Sequence, residues 1–168
     1  VTDEQWWLNV VEADLVRYRK IREDKMKNKV VDEDGTVRWF DESGLPHRSE
    51  GLPAVEHADG SKEWWVDGQR HRDGGLPSIE WADGNRSWRV RGQLHREGDL
   101  PAVEYTDGHK EWWINGKPHR AGGLPAIEWK DGTKQWWKDG LFHRDGGLPI
   151  IEWGDLPTVE REKRSNDG

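Results

Sequence analysis

The chain contains no cysteine, which excludes a disulfide framework and any thiolate metal site. It is also poor in ordinary core residues: 32% of its 168 residues are hydrophobic against 35% charged, with one Met, two Phe and two Tyr. No apolar run reaches the length of a membrane span or of a secretory signal. A cytoplasmic protein without a membrane span is therefore the expectation. Composition this polar leans towards disorder. Tryptophan argues against it: there are 13, and large aromatic side chains each bury much area, whereas disordered chains are poor in them. The expectation is a folded protein with a thin, Trp-dominated core. The net charge is −7, and the acidic excess falls in residues 30–153. Binding to a phosphate backbone rests on cationic neutralisation, so nucleic acid is not an expected partner.

What the chain has is a 24-residue repeat. His-Arg recurs at His47-Arg48, His71-Arg72, His95-Arg96, His119-Arg120 and His143-Arg144. Leu-Pro follows in the same phase at Leu52-Pro53, Leu76-Pro77, Leu100-Pro101, Leu124-Pro125 and Leu148-Pro149. A fixed period of this size marks a repeat array, whose units are stabilised by stacking on their neighbours.

Three regions are expected: an N-terminal amphipathic helix over 1–29, a β-hairpin repeat array over 30–154, and a polar tail over 155–168. Thr2-Asp3-Glu4-Gln5 has the form of a capping box. Leu8, Val11, Leu15 and Tyr18 then fall at helical spacing, with Trp7 enlarging the apolar end. Such a seam can cap the array, pair two copies into a homo-oligomer, or dock on a partner. Beyond Val30, Asp-Gly pairs recur at Asp34-Gly35, Asp59-Gly60, Asp83-Gly84, Asp107-Gly108 and Asp131-Gly132. Read as two-residue hairpin loops, they predict one hairpin plus one loop per unit, in a meandering antiparallel sheet or a solenoid. A two-residue loop at Asp59-Gly60 places Val55 opposite Trp64 and Glu56 opposite Glu63. Alternation then predicts a core-facing stripe of Val55, His57, Trp64 and Val66, with Ile79, Trp81, Trp88 and Val90, then Val103, Tyr105, Trp112 and Ile114 in later units. The interval from Gly35 to Gly44 is one residue longer than that from Gly60 to Gly68, as expected of an atypical terminal repeat.

Five glutamates (Glu56, Glu80, Glu104, Glu128, Glu152) and five arginines (Arg48, Arg72, Arg96, Arg120, Arg144) recur in step. A five-fold copy of one pair is how a scaffold is tied together, whereas catalysis needs one asymmetric constellation. These residues are expected to form a structural ladder, with no catalytic residue and no enzyme activity. Equivalent His residues in adjacent units lie two strands apart, about 9.5 Å. That is too far to share a zinc ion, whose ligand bonds are about 2 Å. No metal and no other cofactor is expected. The column Trp65, Arg89, Trp113 and Trp137 is the candidate binding strip, either exposed or covered by the helix or by a curled array.

The segment Trp113-Ile114-Asn115-Gly116-Lys117-Pro118-His119, with the following Gly-rich loop and Asp131-Gly132, resembles the MORN repeat. It differs from that family in having Arg after His in all five copies. It looks more like the His-Arg-x-x-Gly-Leu-Pro-Ala variant found in phage, large-virus and bacterial proteins. The resemblance implies a hairpin sheet used for protein contacts and assembly. It also implies a phage or bacterial-conflict factor that blocks a protein in the host cytoplasm. Asp59-Gly60-Ser61-Lys62-Glu63-Trp64-Trp65 also resembles the Trp-rich repeats of cell-wall-binding proteins. That resemblance implies a carbohydrate or choline-type ligand on the Trp column.

Overall fold

The structure is a computed structural model that describes residues 28–154. The expected N-terminal helix, with Trp7, Leu8, Val11, Leu15 and Tyr18, and the tail over 155–168 lie outside the described residues. The array opens with β1 (Lys29–Val31) and β2 (Val37–Trp39). The next unit contains β3 (Val55–Glu56), β4 (Lys62–Glu63), β5 (Trp65–Val66) and β6 (Gln69–Arg70). The pattern repeats as β7 (Ile79–Glu80), β8 (Arg86–Ser87), β9 (Arg89–Val90) and β10 (Gln93–Leu94). Then come β11 (Val103–Glu104), β12 (Lys110–Glu111), β13 (Trp113–Ile114) and β14 (Lys117–Pro118). β15 (Ile127–Glu128), β16 (Lys134–Gln135), β17 (Trp137–Lys138), β18 (Leu141–Phe142) and β19 (Ile151–Glu152) complete it.

Eleven of these strands form one antiparallel sheet in the order β1-β2-β3-β4-β7-β8-β11-β12-β15-β16-β19. The other eight form four separate hairpins: β5–β6, β9–β10, β13–β14 and β17–β18. The mainly-β hairpin repeat is thus present, but each full unit makes two hairpins where one was expected. The second arises because the strand after each Asp-Gly turn breaks at Trp64, Trp88, Trp112 and Trp136. There the Trp64 N–H still bonds the main sheet, at the Ser78 carbonyl 2.8 Å away, while its own carbonyl accepts the His71 N–H of the small hairpin at 3.0 Å, and the chain leaves the main sheet. Successive small hairpins are joined by one bond each, such as Gly92 N–H to Arg70 O at 2.9 Å and Gly116 N–H to Leu94 O at 2.9 Å.

The turn chemistry is the reverse of expectation. Asp67-Gly68, Arg91-Gly92, Asn115-Gly116 and Asp139-Gly140 have positive φ at both residues, the signature of a two-residue type I′ turn. At Asp59-Gly60 only the glycine has positive φ. His57 N–H reaches Ser61 O at 2.8 Å and Gly60 N–H reaches His57 O at 3.0 Å. This is a three-residue loop with a left-handed glycine in third place. The Asp59 carboxylate fixes it by accepting from the Ser61 N–H at 2.8 Å and the Ser61 hydroxyl at 3.0 Å. In the first unit, the extra residue turns the second loop into the same three-residue form. Asp41 N–H there bonds Leu45 O at 2.8 Å, and Gly44 N–H bonds Asp41 O at 3.1 Å.

One added loop residue shifts the register by one, and such a shift moves side chains to the other face. Val55 therefore pairs with Glu63, and Glu56 with Lys62. The expected Glu56–Glu63 and Glu104–Glu111 oppositions do not occur; Glu104 faces Lys110. Across the sheet this gives an alternating ladder of Glu56, Lys62, Glu80, Arg86, Glu104, Lys110, Glu128, Lys134 and Glu152. Opposite charges directly across strands are favourable where like charges are not.

The single core-facing stripe is likewise corrected. Ala54, Val55 and Trp64 are all buried, although Val55 lies on the face opposite Ala54 and Trp64. Each side of the sheet therefore contributes to the core. Trp64, Trp88, Trp112 and Trp136 are only 5 to 6% exposed. Trp81, Tyr105, Val90 and Ile114, expected in the core, are exposed.

Candidate functional surface

The recurring Arg and Glu form a connected staple. Arg72 donates through Nη1 to Pro77 O at 3.2 Å and to Glu80 Oε1 at 2.9 Å, while its guanidinium lies 3.7 Å over the Trp64 ring. Arg96 repeats this with Pro101, Glu104 and Trp88, and Arg120 with Pro125, Glu128 and Trp112. Arg48 with Pro53, Glu56 and Trp39, and Arg144 with Pro149, Glu152 and Trp136, do the same at the ends. Each Trp returns the tie: the Nε1–H of Trp64, Trp88, Trp112 and Trp136 donates to the carbonyl of Gly51, Gly75, Asp99 and Gly123, 13 residues upstream in every case. One Arg thus joins a loop carbonyl, a strand carboxylate and a core indole.

The histidines of the same loops bond either within their own loop or to the turn of the next unit. His71 and His143 face Asp73 and Asp145 through Nε2 at 2.9 and 2.8 Å, and His95 and His119 accept the Asn115 and Asp139 N–H through Nδ1 at 3.2 Å. No group of three or more His, Asp or Glu among the described residues is placed to hold a metal ion. Nor is any helix among them long and apolar enough to cross a membrane.

The Trp65, Arg89, Trp113 and Trp137 column lies on the small hairpins and is half-buried. Its indoles are engaged within the chain. Trp65 and Trp113 donate to Glu63 and Glu111 at 2.8 and 2.7 Å, and Trp137 to Gln135 at 3.2 Å. Arg70 covers Trp65 at 4.8 Å, and Phe142 stacks on Trp137 at 3.8 Å. Beneath the first hairpin, Glu63 is 13% exposed and accepts from His57, Arg70 and Trp65. Burial acts to raise its pKa but is outweighed by the hydrogen bonds from Arg70 and His57, so the pKa is lowered. At Arg89, burial and the Arg70 charge lower the pKa.

Two exposed rows remain. One is a ridge of loop leucines: Leu52, Leu76, Leu100, Leu124 and Leu148. It borders shallow clefts between successive loops, such as that lined by His95, Arg96, Leu100, Trp113, Ile114 and His119. The other is aromatic. His57, Trp81, Tyr105 and Trp129 each stand two residues before the Asp of an Asp-Gly turn, Trp153 holds the same place in the last unit, and the last four of these five are 37 to 60% exposed. Register places Ser61, Asn85, His109 and Thr133 between successive members of this row. The His109 ring lies between Tyr105 at 4.6 Å and Trp129 at 3.9 Å, nearly parallel to both. The assumed two-residue turn hid this row by assigning its members to the core. The signal that could have found it is Thr36 or Ser61 two residues after the Asp, since a hydroxyl there bonds the Asp side chain of the three-residue loop. No protein-family model matches the chain, and no curated protein matches its sequence.

Proposed function

We propose that this chain is a non-catalytic scaffold that docks a protein partner on its exposed aromatic row. One observation carries the reading: a row of large aromatics at constant two-strand spacing stays exposed while the recurring Arg, Glu and core Trp residues are engaged within the array. Exposed aromatic anchors of this kind supply most of the energy of protein contacts, and an aligned set marks an interaction surface. The acidic balance selects a basic partner surface and speeds its approach. The repeat type is consistent with a phage or bacterial-conflict factor acting on a host protein.

The test is affinity capture from lysate with the wild-type chain and with a Trp81→Ala/Trp153→Ala bait. The captured protein is then mapped on the row by hydrogen exchange. A stoichiometric partner that is lost from the double variant and protects residues 79–86 and 103–110 is the expected result. Saturable binding of a soluble glycan, with no protein captured, would replace this reading by the carbohydrate one.

A further inference from the structure

The charge ladder of the main sheet stops before it reaches the first edge. Glu56 pairs with Val37, and Val37 with Val31, so valines stand where the next unit carries Lys62 and Glu56. On β1 itself, Val30 and Val31 are 47% and 59% exposed. The charges beside them are committed within the chain: Lys29 reaches over the Trp39 ring at 5.6 Å, and Asp32 accepts from Arg38 at 2.7 Å. Only half of the β1 backbone is paired. Phe40 N–H donates to Asn28 O at 2.9 Å and Asp32 N–H to Thr36 O at 2.8 Å. By the alternation of an antiparallel ladder, Val30 between them also turns its N–H and C=O to β2, whereas Lys29 and Val31 turn theirs outward. No described residue pairs with those outward groups. Natural sheets guard such an edge with charge, proline or a bulge. β1 has no proline, and its pairing with β2 is unbroken.

We infer that the outer edge of β1 pairs with β1 of a second copy of this chain about a two-fold axis, joining two arrays into one continuous antiparallel sheet. Strand number selects this occupant. The main sheet has eleven strands, an odd number, so β1 and β19 run in the same direction. With the faces of the sheet kept continuous, β19 of another copy would lie parallel to β1. Only β1 of a rotated copy lies antiparallel, as every pair in the sheet does, and such a contact is closed and self-complementary. The chain's own start is a poorer occupant. Residues 1–27 contain no glycine or proline, the residues that favour the tight turn needed to fold back along β1.

The outward groups set the register. With Val30 opposite Val30 of the second copy, Lys29 of each chain faces Val31 of the other, and both pairs exchange N–H···O bonds. Asp32 then faces Asn28, so no like charges meet across the axis. A register centred on Lys29 would oppose two ammonium groups. One centred on Val31 would bring Glu33, which lies in the turn, opposite Lys29 and lose the second pair of bonds. The joined sheet carries two aromatic rows, so a partner with two matching sites would be held by both. The contact itself does not depend on the docking reading.

The experiment is sedimentation equilibrium of the full chain over a concentration series. Wild type is expected to pass from monomer to dimer as concentration rises. Val30→Glu sets a carboxylate opposite Arg38 of its own chain, which the fold accommodates, but opposite a second carboxylate across the axis. It should weaken association at least about tenfold, with circular dichroism and the urea midpoint unchanged. Val30→Lys should also weaken it, and mixing the two variants should restore a dimer, because unlike charges then face each other. The chain has no cysteine, so Val30→Cys adds one thiol. Across the axis this non-bonded pair has Cα atoms about 4.5 Å apart, within reach of a disulfide. Mild oxidation should link Val30→Cys into a dimer but not Leu141→Cys, which is 72% exposed in the last unit. A wild-type chain that is monomeric at every concentration, a dimer indifferent to Val30→Glu, or a mixture of the two charged variants that associates no better than either alone overturns the inference. So does a dimer that persists in Val30→Glu and is lost on removal of residues 1–27. Capture of a protein by the Val30→Glu chain would leave the docking reading standing in each of these cases.

Discussion

Replacing Arg96 by alanine tests the staple that ties each loop to the sheet. The side chain is 18% exposed and donates to Glu104 at 2.8 Å and to Pro101 O at 3.0 Å, with its guanidinium 3.6 Å over the buried Trp88 ring. The carboxylate partner is one-third exposed, so the ion pair is screened and contributes about 1 kcal/mol. The bond to the Pro101 carbonyl contributes about 1 kcal/mol, and its loss leaves a carbonyl without that partner. Stacking on Trp88 adds about 1 kcal/mol. Arg96→Ala should therefore cost about 3 kcal/mol. Arg96→Lys keeps the charge but not the fork or the stacked plane, and should cost about 1.5 kcal/mol. Arg144→Ala should cost about half as much as Arg96→Ala, because its partner Glu152 is 48% exposed and the staple lies at the end of the array. Urea unfolding followed by Trp fluorescence measures all three, together with the slope of the transition. A central lesion can split the array into two transitions, which the slope would reveal. An Arg96→Ala protein within about 0.5 kcal/mol of wild type, or an Arg96→Lys protein indistinguishable from it, would refute the reasoning.

Trp112→Phe removes the indole bond to Asp99 O at 3.0 Å and part of a buried ring, and should cost about 2 kcal/mol in the same assay. Gly116 has φ of 75° in a type I′ turn, so Gly116→Ala should destabilise by about 1 kcal/mol or more, with the far-ultraviolet spectrum unchanged. Acid should lower the thermal midpoint. The turn carboxylates Asp34, Asp59 and Asp131 have pKa values lowered mainly by the backbone N–H of Thr36, Ser61 and Thr133. A lowered folded pKa stabilises fully above the ordinary carboxylate value and ceases to do so as pH falls through the folded one. The loss therefore lies below about pH 4, and Asp59→Asn, which keeps an oxygen acceptor, should make the decline shallower.

The 24-residue period, the hairpins and the turn positions were legible because each depends on local chemistry: glycine where φ is positive, and alternating apolar residues where a strand forms. The register was not. Asp-Gly fits both a two-residue and a three-residue hairpin loop, and the pair alone does not distinguish them. The side chain two positions after the Asp does, through its bond to the carboxylate. From that single residue followed the wrong face for Val55, the apparent Glu56–Glu63 conflict, and the placing of Trp81 and Tyr105 in the core. The break at Trp64 was also hidden. A run such as Lys62 to Val66 looks like one strand, and it divides only because Trp64 donates to Ser78 in the main sheet and accepts from His71 in the small hairpin.

Within an array, comparison of one unit with the next separates support from recognition. Arg72, Arg96 and Arg120 make the same three contacts, to a Pro carbonyl, a Glu carboxylate and a Trp ring, with Arg120 adding an ion pair to Asp99, and Trp64, Trp88 and Trp112 each bond the equivalent loop carbonyl. A change at any of them would break a packed contact with the next unit. The columns that vary behave differently. Ser61, Asn85, His109 and Thr133 share one position and differ in size and hydrogen-bonding groups, although each follows the same turn. Their N–H groups at 61, 85, 109 and 133 all bond the preceding Asp side chain at 2.8 to 3.0 Å, so the backbone bond that closes the turn is the same whichever of these side chains stands there. The variation falls between the aromatics of the row, where Ser61, His109 and Thr133 are buried and Asn85 is half-buried. On the proposed docking reading, a uniform scaffold carrying a non-uniform row can distinguish one partner from another by the side chain at each step of the row. That reading assigns specificity to the Ser61–Asn85–His109–Thr133 series and affinity to Trp81, Tyr105, Trp129 and Trp153. Exchanging Asn85 and His109 should therefore weaken capture of the partner without altering stability by more than about 1 kcal/mol, which affinity capture and urea unfolding would measure together; capture as strong as wild type would remove this position from the contact.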